Sequence, residues 1–123
     1  MLPIRYYGAT GLEVSALGLG TGRLGDPGLD ETGVFAVLDQ ARESGIRLLD
    51  TAPSYGLSET RIGRWLKSRG TDMIVSTKLG YGVPGVEDWT GACISAGIDL
   101  ALKRMNVERL DIAHLHSCPI DVL

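Results

Sequence analysis

Three ionisable side chains in this 123-residue sequence stand where short apolar runs end, and a fourth follows in the next turn. Asp50 closes the run IRLLD, Lys78 lies near the end of MIVSTKL, and His116 closes RLDIAHLH. Tyr55 is displayed on the turn that comes after Asp50. A carboxylate, an ammonium, an imidazole and a phenol at one place could exchange a proton with a reacting group.

Each of these residues also has an ordinary structural explanation. Asp50 could cap the turn that follows it, and Lys78 could extend its ammonium to solvent. His116, like His114, could be a core histidine with satisfied ring nitrogens, and Tyr55 could be a surface packing residue. For Asp50 and Lys78 taken alone the structural explanation is favoured. Four such residues at matching strand ends favour a functional site.

The elements that would position these residues follow from hydrophobic periodicity. Residues 3–7 and 12–16 flank a glycine-containing turn and predict a β-hairpin. Four later apolar runs predict strands at residues 16–22, 46–50, 73–79 and 109–116. Amphipathic spacing and capping residues predict a helix in each of the three intervals between these strands. The first begins at the Asp30 cap and closes at Ser44-Gly45, the second begins at Ser58 and ends near Gly70, and the third begins at Thr90 and carries Ile94, Ile98, Ala101, Leu102 and Met105.

This order predicts an α/β fold of parallel βαβ units with right-handed crossovers. An open doubly wound sheet and a (β/α)8 barrel both fit; GLGTGRLG lacks the G-x-G-x-x-G spacing, and no P-loop is present. Both architectures bind ligands at the carboxyl ends of their strands. Because strand residues alternate between faces, Asp50, Lys78 and His116 would meet above one cavity, and Tyr55 would lean over it.

Together these groups predict proton transfer to a developing oxyanion. A phenol is a weak acid at neutral pH, and an adjacent lysine ammonium stabilises its phenolate. Asp50 would pair with Lys78, and His116 would hydrogen-bond the same oxygen or orient the substrate. This set suits the alkoxide that forms when a carbonyl accepts a hydride. Since no side chain supplies a hydride, a nicotinamide cofactor would be required.

Composition excludes several other classes of function. A net charge of −3 argues against a nucleic-acid partner, and the basic cluster Arg61, Arg64, Lys67 and Arg69 predicts a solvated helix face. No stretch approaches the roughly 20 apolar residues of a membrane span, and no signal-peptide pattern is present. The two cysteines lack disulfide-framework or metal-site spacing. A cytoplasmic protein without a metal is therefore expected.

Four stretches resemble the aldo/keto reductase family. TGLEVSALGLGT is similar to the family's N-terminal hairpin and first barrel strand, and LLDTAPSYGLSE is similar to the signature after its second strand. VSTKL resembles the third-strand lysine segment, and RLDIAHLHS resembles the fourth strand with its active-site histidine. The resemblance covers nearly the whole chain in order, and it implies a TIM (β/α)8 barrel.

The resemblance implies reduction of aldehydes and ketones to alcohols, or the reverse oxidation, with NADPH or possibly NADH as cofactor and a small-molecule carbonyl substrate. Tyr55 would be the general acid/base, Lys78 and Asp50 would tune it, and His116 would be the site histidine. Gly20, Thr21 and Asp50 would approach the nicotinamide end of the cofactor. His114 falls where the family usually has an apolar or aromatic residue, and Gly22 falls where it often has an aromatic one.

Length qualifies this expectation, because such barrels typically need about 250 residues. Residues 1–123 are therefore expected to form the truncated N-terminal part of a single barrel domain, holding about its first four strands. The first and fourth strands would be open edges prone to self-association. We expect weak or absent NADPH binding and little reductase activity from the chain alone.

Two other functions stay open at the level of sequence. Lys78 could be the nucleophile of a Schiff-base barrel lyase, although pairing with Asp50 would keep it protonated. A non-catalytic, cofactor-sensing or structural partner could use the same scaffold. The loop of residues 80–89 could line a substrate mouth through Tyr81 or Trp89, or it could simply connect two elements.

Overall fold

The computed structural model of the chain describes residues 1–70 and 73–123. Strands β1 and β2 form the predicted antiparallel hairpin. Strands β3 to β6 form a parallel sheet in chain order, with helices α1, α2 and α3 in the connections. The bounds are β1 Ile4–Tyr6, β2 Glu13–Ser15, β3 Leu19–Gly20, a 3-10 turn at Gly22–Gly25, α1 Glu31–Glu43, β4 Leu48–Asp50, α2 Ser58–Arg69, β5 Ile74–Leu79, α3 Gly91–Met105 and β6 Ile112–Leu115. The predicted α/β order is confirmed.

Helix N-termini follow the predicted capping signals in two of three cases, and α1 and α2 end at the predicted Ser44 and Gly70. The Asp30 carboxylate accepts a hydrogen bond from Gly33 N at the start of α1, and the Thr90 hydroxyl accepts one from Cys93 N at the start of α3. The prediction that Ser58 caps α2 is wrong, because Ser58 is the first helical residue and Leu57 precedes it as the cap. The Ser58 hydroxyl instead satisfies buried groups between the strands and the helix.

All four parallel strands are shorter than the apolar runs that predicted them, and the difference matters most at β3 and β6. The run at residues 16–22 is a strand only at Leu19–Gly20, because the chain enters the 3-10 turn at Gly22. Strand β6 stops at Leu115, so His116 follows the strand instead of closing it. The backbone of His116 nevertheless donates to the carbonyl of Leu79 at 2.9 Å, which keeps it at the carboxyl end of β5.

The hydrophobic core lies between the parallel sheet and its helices. Its buried members come from two strands, all three helices and the residue before β5, namely Leu49, Val75, Val34, Leu38, Ile62, Trp65, Ala101, Met105 and Met73. Since strand side chains alternate between faces, the residues next to Leu49 and Val75 along each strand belong to the opposite face of the sheet. That face carries Asp50, Ser76 and Lys78 at its carboxyl end.

The predicted solvated basic face of α2 is wrong for Arg61, which is only 5% exposed. Its guanidinium donates hydrogen bonds of 2.6–2.8 Å to three backbone carbonyls of the segment before α1, those of Leu24, Asp26 and Leu29. Arg64 and Arg69 bind carboxylates on α1. These residues therefore join α2 to its neighbours.

Among the helices of residues 1–70 and 73–123, none combines the length and apolar content that a bilayer crossing requires.

Candidate active site

The ion pair between Lys78 and Asp50 is the centre of the site. Strands β4 and β5 are neighbours, and their register places Asp50 opposite Ser76. The Lys78 Nζ donates to Asp50 Oδ2 and to the carbonyl of Thr51, each at 2.8 Å. The lysine side chain is 14% exposed and that of Asp50 is 42% exposed. The lysine side chain is thus largely buried, whereas the carboxylate side chain is partly exposed to solvent.

Tyr55 lies next to this ammonium. The Lys78 Nζ is 5.0 Å from the centre of the Tyr55 ring, within the range of a cation–π contact. The turn that carries the tyrosine is closed by Tyr55 N donating to the carbonyl of Ala52 at 3.1 Å and by Ser58 N donating to the carbonyl of Tyr55 at 3.0 Å. Two of the three Lys78 ammonium hydrogens are bound to oxygen. The third has no oxygen acceptor among the described residues.

Two glycines allow the backbone behind Tyr55 to take its position. A Cβ at Gly25 would fall 1.6 Å from the carbonyl oxygen of Tyr55, a separation that atoms cannot adopt. Gly56 has φ +54°, and a Cβ there would fall 2.4 Å from the carbonyl oxygen of Gly25. Leu57 N donates to that same carbonyl at 2.9 Å. The 3-10 turn and the Tyr55 turn therefore support each other, backbone against backbone.

A chain of buried hydroxyls lies beneath the Tyr55 turn. The Thr51 hydroxyl donates to Ser58 Oγ, the Ser58 hydroxyl donates to Thr21 Oγ1, and the Thr21 hydroxyl donates to the carbonyl of Asp50. Each of these three bonds is 2.8 Å long, and all three hydroxyl residues are fully buried. Hydrogen bonds in such a chain reinforce one another. The chain ties β3, β4 and the start of α2 together directly behind Asp50.

His116 lies near the Tyr55 ring. The two rings are 6.2 Å apart between centroids, at 83°. Tyr81 OH lies 3.2 Å from His116 Nδ1, and the Tyr81 ring lies between His116 at 5.5 Å and Trp89 at 5.3 Å. The loop of residues 80–89 thus contributes an aromatic wall beside the histidine. His114 is exposed and pairs in register with Lys78.

The structure therefore brings Asp50, Tyr55, Lys78 and His116 to one end of the sheet. Of the three residues predicted to contact a cofactor, Gly20 pairs with Asp50 in register and has open space where a Cβ would lie. Thr21 is placed differently, because its side chain is fully buried and its hydroxyl is committed to the Asp50 carbonyl. Gly20 and Asp50 border space that a ligand can enter, whereas the Thr21 side chain holds strands together.

Ser76 is a polar residue of this face to which the sequence assigned no role. It is 3% exposed, and its hydroxyl has no hydrogen-bond partner among the described residues. Ser76 pairs in register with Asp50 on β4 and with Ile112 on β6. In the sequence, the only indication was that Ser76 lies two residues before Lys78 and therefore shares its face of the strand. Within residues 1–70 and 73–123, no three His, Cys, Asp or Glu side chains group as metal ligands.

Chemically, the arrangement can deliver a proton to an oxygen atom. The Tyr55 phenol carries a transferable proton, its ring centre lies 5.0 Å from the held ammonium, and the imidazole of His116 adds a second hydrogen-bonding group. Asp50 orients the ammonium through its carboxylate, and it pairs in register with Gly20, which has open space where a Cβ would lie.

Comparison with known proteins gives a consistent family match. Residues 16–122 match the sequence model of the aldo/keto reductase family. The chain is 37% identical over 122 residues to an L-galactose dehydrogenase of Arabidopsis thaliana, covering 94% of this chain and 38% of that protein. It is 34% identical over 136 residues to a D-threo-aldose 1-dehydrogenase of a Pseudomonas species, covering 88% of this chain and 41% of that protein.

The fold is also similar to a solved structure, an aldo-keto reductase from Bacillus halodurans in its holo form. The TM-score is 0.83 with 36% identity, over 98% of this chain and 42% of that chain. The chain thus spans less than half the length of these relatives. Its hairpin and four-stranded parallel sheet resemble the N-terminal part of the TIM barrels of such reductases, which confirms the predicted fold class.

Proposed function

The chain belongs to the aldo/keto reductase family, and we propose that it supplies the proton-donating half of a site that reduces aldehydes and ketones to alcohols, or catalyses the reverse oxidation. One observation carries the proposal: the Lys78 ammonium is held by Asp50 at 2.8 Å and lies 5.0 Å from the Tyr55 ring centre. The family uses nicotinamide cofactors, which supply the hydride when bound. We propose NADPH as the cofactor.

In this proposal Tyr55 protonates the oxygen of the carbonyl as negative charge develops there. Lys78 places a positive charge beside the phenolate that remains, and the two opposite charges attract each other. Asp50 keeps the ammonium in place through a hydrogen bond between charged groups, which is stronger than one between neutral groups. His116 donates a hydrogen bond to the same oxygen.

The nicotinamide end of the cofactor would lie over Gly20 and beside Asp50. Support comes from the open space over the Gly20 backbone and from the 42% exposure of the Asp50 side chain. The backbone of Gly20 permits close approach by a flat ring. We leave the Thr21 side chain out of this contact, since it is fully buried.

The lyase alternative is disfavoured by the same ion pair. A Schiff-base lysine must lose its proton before it attacks a carbonyl. The Lys78 Nζ donates to a carboxylate and to a backbone carbonyl, and a Schiff-base nitrogen, which carries one N–H at most, could keep only one of these hydrogen bonds.

The decisive experiment replaces Tyr55 by Phe in a protein that contains this chain and follows NADPH oxidation with carbonyl substrates. Sugars are the first substrates to test, because two relatives are named an L-galactose dehydrogenase and a D-threo-aldose 1-dehydrogenase. Loss of a general acid typically costs about 10²–10⁴ in kcat, with cofactor affinity retained. The matched control is Tyr6→Phe, which removes a 71% exposed phenol from β1. Equal turnover in both variants would refute the proposed role of Tyr55.

Cofactor binding by the 123-residue chain is a separate measurement. The chain covers 38–42% of the relatives described above, and we propose that it retains the acid while holding little of the cofactor surface. A fluorescence titration with NADPH should therefore show weak or no binding. Micromolar affinity of the monomeric chain would contradict this expectation.

A further inference from the structure

We propose that Tyr81 is a positioning residue for His116, whose phenol donates to Nδ1 and thereby holds the proton of the neutral imidazole on Nε2. The inference deepens the proposed function, in which His116 hydrogen-bonds the reacting oxygen, and it rests on that function for its chemical meaning. It gives a specific role to the loop of residues 80–89. The sequence alone was compatible either with a loop that lines a substrate mouth or with one that simply connects two elements.

The contact itself selects one tautomer. Tyr81 OH lies 3.2 Å from His116 Nδ1. A neutral imidazole has one nitrogen that donates and one that accepts, and the hydrogen bond made by one nitrogen determines the role of the other. A phenol O–H is a better donor than acceptor, so Nδ1 accepts and the proton resides on Nε2. His116 Nε2 has no partner among the described residues, and it is left as a donor.

The position of Tyr81 is itself determined by the loop around it. Gly80 has φ +128°, and a Cβ there would fall 2.6 Å from the Trp89 ring. Trp89 N donates to the carbonyl of Gly80 at 2.6 Å, and Gly82 N donates to Asp88 Oδ1 at 3.0 Å. These contacts close the loop at both sides of Tyr81. Its ring packs on Trp89 at a centroid distance of 5.3 Å.

Trp89 shows that this loop is held in a costly backbone conformation. Its φ of +64° lies in the left-handed region, which non-glycine residues adopt rarely and keep only where the surroundings determine it. That conformation places the indole against both Gly80 and Tyr81. The Trp89 conformation therefore contributes to holding the Tyr81 ring in place.

The consequence for the site is a histidine in one tautomer, with Nδ1 as acceptor and Nε2 as donor. With its proton on Nε2, His116 can donate to a carbonyl oxygen that is gaining negative charge. With the proton on Nδ1, it would present a lone pair to that oxygen and repel it. Tyr81 favours the productive form before a substrate arrives.

The test uses imidazole nitrogen NMR of the chain, because it has only two histidines. Long-range proton–nitrogen spectra give the tautomer of each ring at a pH where both are neutral, and a His114→Gln variant identifies the His116 signals. We expect the ratio of Nε2–H to Nδ1–H forms at His116 to fall about 2- to 10-fold in Tyr81→Phe, the factor that one net hydrogen bond supplies. The Tyr6→Phe control should leave the ratio unchanged.

Two outcomes would overturn the proposal: an unchanged ratio in Tyr81→Phe, or wild-type protein with its His116 proton on Nδ1. The exposed His114 provides an internal reference, since its signals report whether the variant is folded while its tautomer should not respond. The measurement involves no turnover. Failure of the reductase proposal therefore leaves the result interpretable, and failure of the Tyr81 proposal leaves the Tyr55 experiment untouched.

Discussion

The turn that carries Tyr55 and the segment that carries His116 are built in different ways, although their rings are only 6.2 Å apart. The Tyr55 turn rests on a chain of fully buried hydroxyls and on the backbone of Gly25. His116 follows the last strand and is held by a backbone bond to Leu79 and by the Tyr81 phenol. One half of the site is thus fixed by the core, and the other half by a loop.

The same contrast appears in the sheet face that packs against the helices. Leu49 on β4 is fully buried, whereas Leu115 on β6 is 46% exposed, and the alternation of strand residues places both on this face. Rigidity near β4 comes from packing between several elements. Strand β6 lies at the edge of the sheet and its Leu115 is half exposed, and beside it the Tyr81 phenol lies 3.2 Å from His116 Nδ1.

The largest effect should come from truncating these two leucines. Leu49→Ala removes a fully buried side chain and should lower the free energy of unfolding by about 2–5 kcal/mol. Leu115→Ala should cost less than about 1 kcal/mol, because a side chain that is already half exposed loses little transfer energy. Urea unfolding of both variants measures the difference, and equal losses would show that the two regions are packed alike.

The next effect should come from the glycine behind Tyr55. Gly25→Ala forces a methyl group into the carbonyl of Tyr55, and overpacking of this kind typically costs about 1–3 kcal/mol. The matched control is Gly22→Ala in the same turn, where the new methyl would meet the Tyr55 ring at an ordinary 3.9 Å. Urea unfolding should separate the two variants. A Gly25→Ala protein as stable as Gly22→Ala would mean that the backbone contact between Gly25 and Tyr55 does not hold the Tyr55 turn in place.

The parts of the fold that sequence predicted are those set by local rules. Asp30 and Thr90 were identifiable as caps because the partner amides lie three residues away. Asp50 and Lys78 were placed together because strand alternation and parallel order determine where strand ends meet. The order of the elements followed from hydrophobic periodicity for the same reason.

The parts that escaped prediction depend on partners distant in sequence. Arg61 has the composition of a surface residue, yet it binds carbonyls more than 30 positions earlier in the chain. Ser58 has the sequence features of a helix cap, but its hydroxyl donates a hydrogen bond to Thr21 Oγ1, 37 positions earlier in the chain. The contact between Tyr81 and His116 spans 35 positions. No local pattern encodes such pairings, because they arise only when the sheet and helices have assembled.

The smallest expected effect is on the pH dependence of stability, which should differ between the α1–α2 contact and the region of β6. On α1, Asp39 accepts hydrogen bonds from Arg69 and from the Trp65 indole, and these bonds, that of Arg69 above all, lower the pKa of Asp39 from 3.8 to about 2. A carboxyl whose pKa is depressed on folding adds stability above its unfolded pKa and loses it as the pH falls. The α1–α2 contact should therefore weaken between about pH 4 and about pH 2.

The comparison that measures this loss is wild type against Asp39→Asn, followed by urea unfolding from pH 5 downward. Wild type should be the more stable at pH 5, and the gap in stability should narrow as the pH falls toward 2, since protonation then removes from wild type the charged acceptor that the Asn variant lacks at every pH. Asp99→Asn removes an exposed carboxylate from α3 and serves as the control, with no such narrowing. Hydrogen exchange adds the regional contrast, because protection should fall with pH in α1 and α2 before it does in β6. A gap that stays constant down to pH 2 would show that Asp39 does not couple the two helices.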